Sequence, residues 1–231
     1  MDQSLKEKFK YLLGEEWFRV LESYLDSEGW DDVTRQLIVE RIHYTVYPEK
    51  GSDLLFKAFR TTPLSKVKVV ILGQDPYHDG SYDGFAFSNV EKLRLSPSLR
   101  NIFKELESDV YQDFVVNLDP NLERWAEQGV LLINTAHTLR KGEAGSHLLM
   151  WDTFTRKVIR RLSKEKRPIV WILWGRKAER HLEDVELPVT HLKLISAHPS
   201  PYSAAGGFFG SKPFTKTNDY LRRFLIKIID W

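Results

Sequence analysis

The chain has 231 residues, 42% of them hydrophobic, enough to bury one sizeable α/β core. It holds no cysteine, which excludes disulfides, thiolate metal sites and cysteine nucleophiles and fits a reducing interior; no apolar run approaches the ~18 residues of a membrane span. The net charge is only +2, yet residues 131–231 hold 18 Lys and Arg against 9 Asp and Glu while residues 1–130 hold 16 against 23, so the C-terminal part suits a polyanion-facing surface.

In chain order, the charged start Met1-Asp2-Gln3-Ser4-Leu5-Lys6-Glu7-Lys8 has no apolar signal core and predicts a cytoplasmic protein. Residues 1–60 read as mostly helical, with Trp17, Val20, Leu21 and Tyr24 on one face. The β-branched run 67–72 predicts a first buried strand, stopped by Gly73. A helix is predicted over 98–106 behind Pro97, and another over 121–128 behind Pro120. Val130–Asn134, Ile169–Trp174 and residues 192–196 predict three more strands. Between them, Phe154, Val158 and Leu162 recur at helical spacing. The cations Arg156, Lys157, Arg160, Arg161, Lys164, Lys166 and Arg167 read most simply as the wet face of that helix. Tyr220, Leu221, Phe224, Leu225 and Ile228 predict a C-terminal helix behind Asn218. Strands alternating with helices define the expected fold: α/β, one domain over 1–231, with a central four-stranded, mainly parallel sheet flanked by helices on both faces. In that domain 1–60 is the helical part and 61–231 the motif-bearing core.

Parallel strands send their C-terminal loops to one edge, where α/β proteins bind ligands. Those loops are Gly73-Gln74-Asp75-Pro76-Tyr77-His78, Asn134-Thr135-Ala136-His137-Thr138, Trp174-Gly175-Arg176-Lys177 and Ala197-His198-Pro199-Ser200-Pro201-Tyr202-Ser203. They bring together Gln74, Asp75, Asn134 and His198 with the aromatics Tyr77, Phe87 and Tyr202. An amide that donates and accepts, flanked by flat rings, suits the edge and face of a nucleobase. A carboxylate facing a histidine suits water activation and anion stabilisation. The residues alone therefore point to a base-like ligand and a hydrolytic reaction.

The same residues resemble a known family. Gly73-Gln74-Asp75-Pro76-Tyr77-His78 followed by Gly84-Phe85-Ala86-Phe87-Ser88 resembles the water-activating motif of family 1 uracil-DNA glycosylases. Ser96-Pro97-Ser98-Leu99-Arg100-Asn101-Ile102 resembles its proline-serine loop, and Leu131-Leu132-Ile133-Asn134-Thr135 its uracil-reading strand. His198-Pro199-Ser200-Pro201-Tyr202-Ser203-Ala204 resembles its DNA-intercalation loop, continued by Gly207-Phe208-Phe209-Gly210-Ser211-Lys212-Pro213-Phe214 and Lys216-Thr217-Asn218. These matches run in order from about residue 55 to the C-terminus.

The resemblance implies a monofunctional, monomeric base-excision enzyme that releases uracil from single- or double-stranded DNA without metal or organic cofactor and without a lyase step. A proteinaceous inhibitor of such enzymes is an implied further partner. Asp75 would orient and activate water, and His198, as a neutral imidazole, would stabilise the departing uracil. Asn134 would read the base, Phe87 would stack on it, Tyr77 would exclude a thymine methyl and Gln74 would contribute through its backbone. Pro76, Ser98, Pro199, Ser200, Pro201, Tyr202 and Ser203 would meet the DNA. His78, His137 and His147 read as structural or loop residues, and Asp79, Asp83 and His78 are rejected as a metal site.

Four departures from the pattern bear on DNA grip rather than on chemistry. Tyr202 stands where a leucine wedge is usual, and Arg176 where a small hydroxyl is common. The Asp79-Gly80-Ser81-Tyr82-Asp83 loop is short and carries two acids, and Ala205-Gly206 replaces bulkier or basic residues. The alternative is a non-catalytic DNA-binding scaffold on the same fold, which the loss of Asp75, His198 or Asn134 would have favoured; a free-nucleoside hydrolase is weaker still.

Overall fold

The apolar runs fold as parallel strands in a computed structural model of the chain, which describes residues 3–90, 95–112 and 119–231. In order, the elements are α1 (Gln3–Leu13), α2 (Glu15–Leu25), α3 (Glu28–His43), β1 (Val46–Tyr47), α4 (Lys57–Thr61), β2 (Val69–Gly73), α5 (Pro97–Val110), α6 (Glu123–Glu127), β3 (Val130–Asn134), β4 (Leu139–Arg140), α7 (Leu148–Leu162), β5 (Ile169–Trp174), α8 (Arg176–Arg180), β6 (His191–Ser196) and α9 (Pro213–Arg223). The main sheet has the order β3-β2-β5-β6 and is parallel throughout. Every residue of β2, β3 and β5 is buried. Successive side chains of a strand point to opposite faces, so both faces of this sheet are covered. The edge strand β6 is only partly covered.

Local signals explain most boundaries. Ser96 caps α5 by accepting the Leu99 N–H at 3.2 Å, and Pro97 takes the first helical position. The second expected helix is short because Asn121 spends its side chain on the Glu123 N–H at 2.8 Å, leaving only α6. The first expected strand starts two residues late, since Val67 still closes a 3₁₀ turn over Leu64–Lys66. The α1–α3 helices fill residues 3–43 of the N-terminal part, and Met1 and Asp2 lie outside the described residues. In α2 the buried face is Trp17, Phe18, Leu21, Tyr24 and Leu25, with Val20 at its margin.

The C-terminal helix needs correction. The expected stripe Tyr220–Ile228 would extend the helix through 228, but α9 begins at Pro213 and ends at Arg223. Leu225 adopts φ 56°, and Ile226 N–H returns to Leu221 C=O at 3.0 Å, closing a Schellman turn without a glycine. Asn218 does not start the helix. It lies within it and clamps the extended tail, exchanging hydrogen bonds of 2.8 and 2.9 Å with Ile229. The tail then buries Ile229 and Trp231, the latter against Trp125 and Phe214.

The cations of 156–167 sit on α7 and the turn after it, which leads into the N-terminal end of β5, away from the edge where the site loops emerge. Arg156 pairs with Asp152, Arg161 with Glu165, and Arg167 donates to the carbonyls of Val67 and Leu64. No described helix is long and apolar enough to cross a membrane.

Candidate active site

The ladder carries the site residues to one edge. Gly73, the last residue of β2, pairs in register with Asn134, the last of β3. Beyond the strands the ladder runs on: Thr135 N–H donates to Gly73 C=O and Ala136 N–H to Gln74 C=O, with Thr135 Oγ1 adding a second bond to Gln74 C=O. Gln74 is thereby held by its backbone, and Asp75, which precedes the buried Pro76, is kept out of helical geometry. A Cβ on Gly73 would lie 2.1 Å from Asn134 Oδ1 and 2.9 Å from Ala86 Cβ. Only glycine lets the Asn134 amide lie against the strand here.

Asn134 is 2% exposed, and its Nδ2 has no hydrogen-bond partner among the described residues. Such an orphaned buried donor costs ~1–3 kcal/mol unless something pairs with it. Asp75 accepts two donors on one oxygen: Gln74 Nε2 at 3.2 Å and the Gly145 N–H. Lys177 Nζ holds Gln74 Oε1 at 2.7 Å.

His198 follows β6 and reaches the end of β5 through a close approach to Gly175. With φ 84°, Gly175 would place a Cβ 2.9 Å from that of His198. The Ser200 N–H donates to His198 Nδ1 at 3.0 Å. With Nδ1 used as an acceptor, the neutral ring carries its proton on Nε2. Burial, reinforced by the Lys177 charge, lowers the His198 pKa and favours that neutral ring. Phe87 completes the wall. It is half-buried at φ 66°, rare for a bulky residue, with its ring 5.3 Å from Trp174 and 5.8 Å from His198. Tyr77 Oη donates to Phe87 C=O at 2.8 Å and meets Ser96 Oγ at 2.5 Å, and burial raises its pKa.

Of the other expected contacts, Ser98, Ser200, Pro201 and Tyr202 line a groove of about 420 Å³ together with Tyr77, whereas Pro76, Pro199 and Ser203 lie outside its lining. Tyr202 is fully exposed at its rim. Ser200 and Ser203 hydroxyls bond each other at 3.0 Å, Ser203 Oγ also donates to His198 C=O, and Asn101 Nδ2 holds Pro199 C=O at 2.8 Å. A larger cavity, about 730 Å³, lies under the C-terminal tail near Lys68 and Phe224 and contains none of these residues.

Three other expectations meet their outcome here. His137 is buried among Phe56, Phe59, Trp151 and Phe154, and burial lowers its pKa to about 3. His147 bonds Thr138 Oγ1 and Glu40, and His78 is exposed. Of the two loop acids, Asp79 closes a surface turn with Ser81, whereas Asp83 turns inward. It is buried, accepting from Ser88 Oγ at 2.5 Å and Phe85 N–H at 3.3 Å, and so shapes the loop before Phe87 from within.

Sequence reasoning placed Trp174 and Lys177 on one of the converging loops without giving them a role, and did not find Gly145 or Glu105. The buried Glu105 carboxylate accepts from Gly210 and Lys212 N–H groups, while Asp109 takes those of Phe214 and Thr215 at the start of α9. Two acids of α5 thus anchor the segment that follows the Tyr202 loop.

The fold is that of an α/β protein with its polar cleft at the C-terminal edge of a parallel sheet, the place where such proteins bind small ligands. Residues 59–222 match the sequence model of the uracil DNA glycosylase superfamily. The chain is 51% identical over 189 residues to a uracil-DNA glycosylase of Azobacteroides pseudotrichonymphae, covering 80% of this chain and 83% of that one. The crystal structure of mimivirus uracil-DNA glycosylase superposes with a TM-score of 0.88 at 28% identity, covering 96% of this chain and 88% of that chain. A mimivirus variant with one tyrosine replaced, in complex with UGI, gives 0.86 at 26% identity over 96% and 90%. The chain belongs to the uracil-DNA glycosylase superfamily and is a DNA-repair glycosylase.

Proposed function

We propose that the chain is a family 1 enzyme, a cytoplasmic monomer that hydrolyses the N-glycosidic bond of deoxyuridine in single- and double-stranded DNA. The observation that carries this reading is the Asn134 amide, buried with an unpartnered Nδ2, on the same sheet edge as an imidazole whose Nδ1 is already engaged. Uracil satisfies both. Its O4 accepts from Asn134 Nδ2 and its N3–H donates to Oδ1, while its O2 accepts from His198 Nε2–H. Cytosine offers an amino group at position 4 and no N3 proton, so it leaves these partners unpaired at ~1–3 kcal/mol per buried group.

The flipped base stacks on Phe87, and the Tyr77 ring lies where a thymine methyl would clash. As the C1′–N1 bond lengthens, its electron pair moves onto uracil and the developing anion rests on the His198 hydrogen bond. Asp75 faces the oxocarbenium-like sugar, orients a water onto C1′ and takes its proton. Ser98, Ser200 and Ser203 hold phosphates with Pro76, Pro199 and Pro201 shaping the loops, and Tyr202 fills the space the base leaves. A proteinaceous inhibitor would occupy the same DNA-facing groove.

The test is uracil release from an oligonucleotide carrying one deoxyuridine, run in EDTA beside a thymine-only control. Alkali-labile cleavage at the uracil alone is expected. Binding without release would replace this reading with the non-catalytic scaffold.

A further inference from the structure

We propose that Lys177 is a positioning residue of the glycosylase reaction, locking the Gln74 side-chain amide in the one orientation that donates to Asp75. This rests on the water-activating role assigned to Asp75. A glutamine amide has two ends of similar size, one accepting and one donating. Turned the wrong way, Gln74 would set its carbonyl oxygen against the Asp75 carboxylate. An ammonium group only donates, so Lys177 Nζ, 2.7 Å from Oε1, fixes the carbonyl end and leaves Nε2 facing Asp75 Oδ2 at 3.2 Å. The Gly145 N–H joins on the same oxygen, and among the described residues no donor falls on Oδ1. One carboxylate oxygen is thus saturated and the other left for water.

The position of Lys177 follows from the turn before it. Gly175, at φ 84°, donates its N–H to Ser196 C=O at 2.8 Å and starts α8, so the second residue of that short helix reaches over the end of β2. Lys177 also faces His198, whose other neighbours, Phe87, Gly175, Ser200 and Ser203, are uncharged. Its charge adds to burial in disfavouring the imidazolium, so the same lysine supports the neutral donor required at uracil O2.

Lys177→Met and Lys177→Arg in the full chain separate this role from a phosphate contact. Lys177→Met should lower kcat about tenfold, the worth of one hydrogen bond, with KM changed less than about twofold, and Lys177→Arg should restore most of the loss. In a Gln74→Ala background, Lys177→Met should lower kcat no further at neutral pH, where His198 is already unprotonated, because the amide it orients is gone. The NMR titration of His198 should move to higher pH in Lys177→Met, and the acid limb of kcat with it. A raised KM at unchanged kcat, with a salt slope reduced by about one counterion, would assign the lysine to phosphate and overturn the proposal. So would additive losses in the double variant. Absence of uracil release from the unsubstituted chain would instead sink the Asp75 assignment, while the His198 titration would still report on Lys177.

Discussion

The base pocket and the DNA-facing groove lie side by side, yet they are built differently. Pocket residues close the sheet ladder: Asn134 stands in register with Gly73, Gln74 is tied to Thr135 and Ala136, and His198 is pressed against Gly175. Groove residues hang on short loops. Ser200 and Ser203 bond each other and the neighbouring His198, Pro199 is held by one Asn101 bond, and Tyr202 projects into solvent. The difference teaches where selectivity and grip reside. On the proposed function, chemistry that needs sub-ångström placement would sit on the ladder, while DNA contacts that must adapt to a bent duplex would sit on loops. Substitutions in the pocket should therefore change kcat and base choice, and those in the groove KM and salt dependence.

The largest effect should come from Asp75→Asn. The amide keeps the size but loses the negative charge proposed to face the sugar and take the water proton. Uracil release should fall about 10³-fold while DNA affinity, read by fluorescence anisotropy, stays within about twofold. Equal loss of both would break the division between pocket and groove.

Gly73→Ala comes next, because its effect passes through Asn134. The added methyl would overlap Asn134 Oδ1 at 2.1 Å, and neither Ala86 nor the ladder can give way cheaply. Displacing the amide should cost about 10²-fold in uracil release, from the loss of one or two buried pairings, and overpacking should cost ~1–3 kcal/mol of stability. Normal kcat in this variant would remove Asn134 from base reading. Tyr77→Ala sharpens the same point from the other wall. Thymine release should become measurable, and uracil release should drop by up to about 30-fold because the bonds from Tyr77 Oη to Phe87 and Ser96 each carry ~1 kcal/mol. If uracil release falls and no thymine appears, Tyr77 is not the gate.

The pH profile reports on the pocket alone. The role proposed for His198 requires a neutral ring, and burial with the Lys177 charge holds its pKa below the ordinary value of 6.5. Activity should stay level as pH falls through ~6.5 and decline only further down, as the ring at last takes a proton. The same sign holds for stability. A histidine buried neutral lets the unfolded chain bind the proton first, so stability is complete above ~6.5 and drops as pH falls below it. A decline centred at the ordinary histidine value would place the His198 ring in solvent.

Much of this was legible in the sequence, for physical reasons that also explain the misses. The strands β2, β3 and β5 are apolar runs cut off by Gly73, Asn134 and Gly175, and a buried parallel strand has no other pattern to show. The polar residues after each run had to meet because parallel strands share an edge. The end of α9 was not legible. Tyr220, Phe224 and Ile228 keep helical spacing past Arg223, yet the chain turns at Leu225 and buries Ile229 and Trp231 as an extended tail. Apolar content states that a residue is covered, not by which element. The burial of Asp83 was not legible because its partners, Phe85 N–H and Ser88 Oγ, come from a turn that only the packed loop creates. Lys177 and Gly145 lie 103 and 70 residues from the side chains they hold, and nothing local distinguishes such a lysine from a solvated one.

Tyr202 offers the smallest effect and the sharpest separation of groove from pocket. Its side chain is wholly exposed, so removing it leaves no cavity, and the neighbouring Ser200–Ser203 bonds do not involve it. In duplex DNA the extruded uracil leaves a gap between stacked pairs, and an aromatic ring inserted there regains part of the stacking, ~1–3 kcal/mol by analogy with aromatic–base contacts in single-strand binders. A single strand has no such gap to fill. Tyr202→Ala should therefore reduce kcat/KM about tenfold on duplex substrate and less than twofold on single-stranded substrate, with thermal stability unchanged. Tyr202→Leu should recover most of the duplex activity, since an aliphatic wedge also blocks the return of the base. Equal losses on both substrates would mean that Tyr202 contacts the strand itself, and would move it from the duplex wedge to the backbone contacts of the groove.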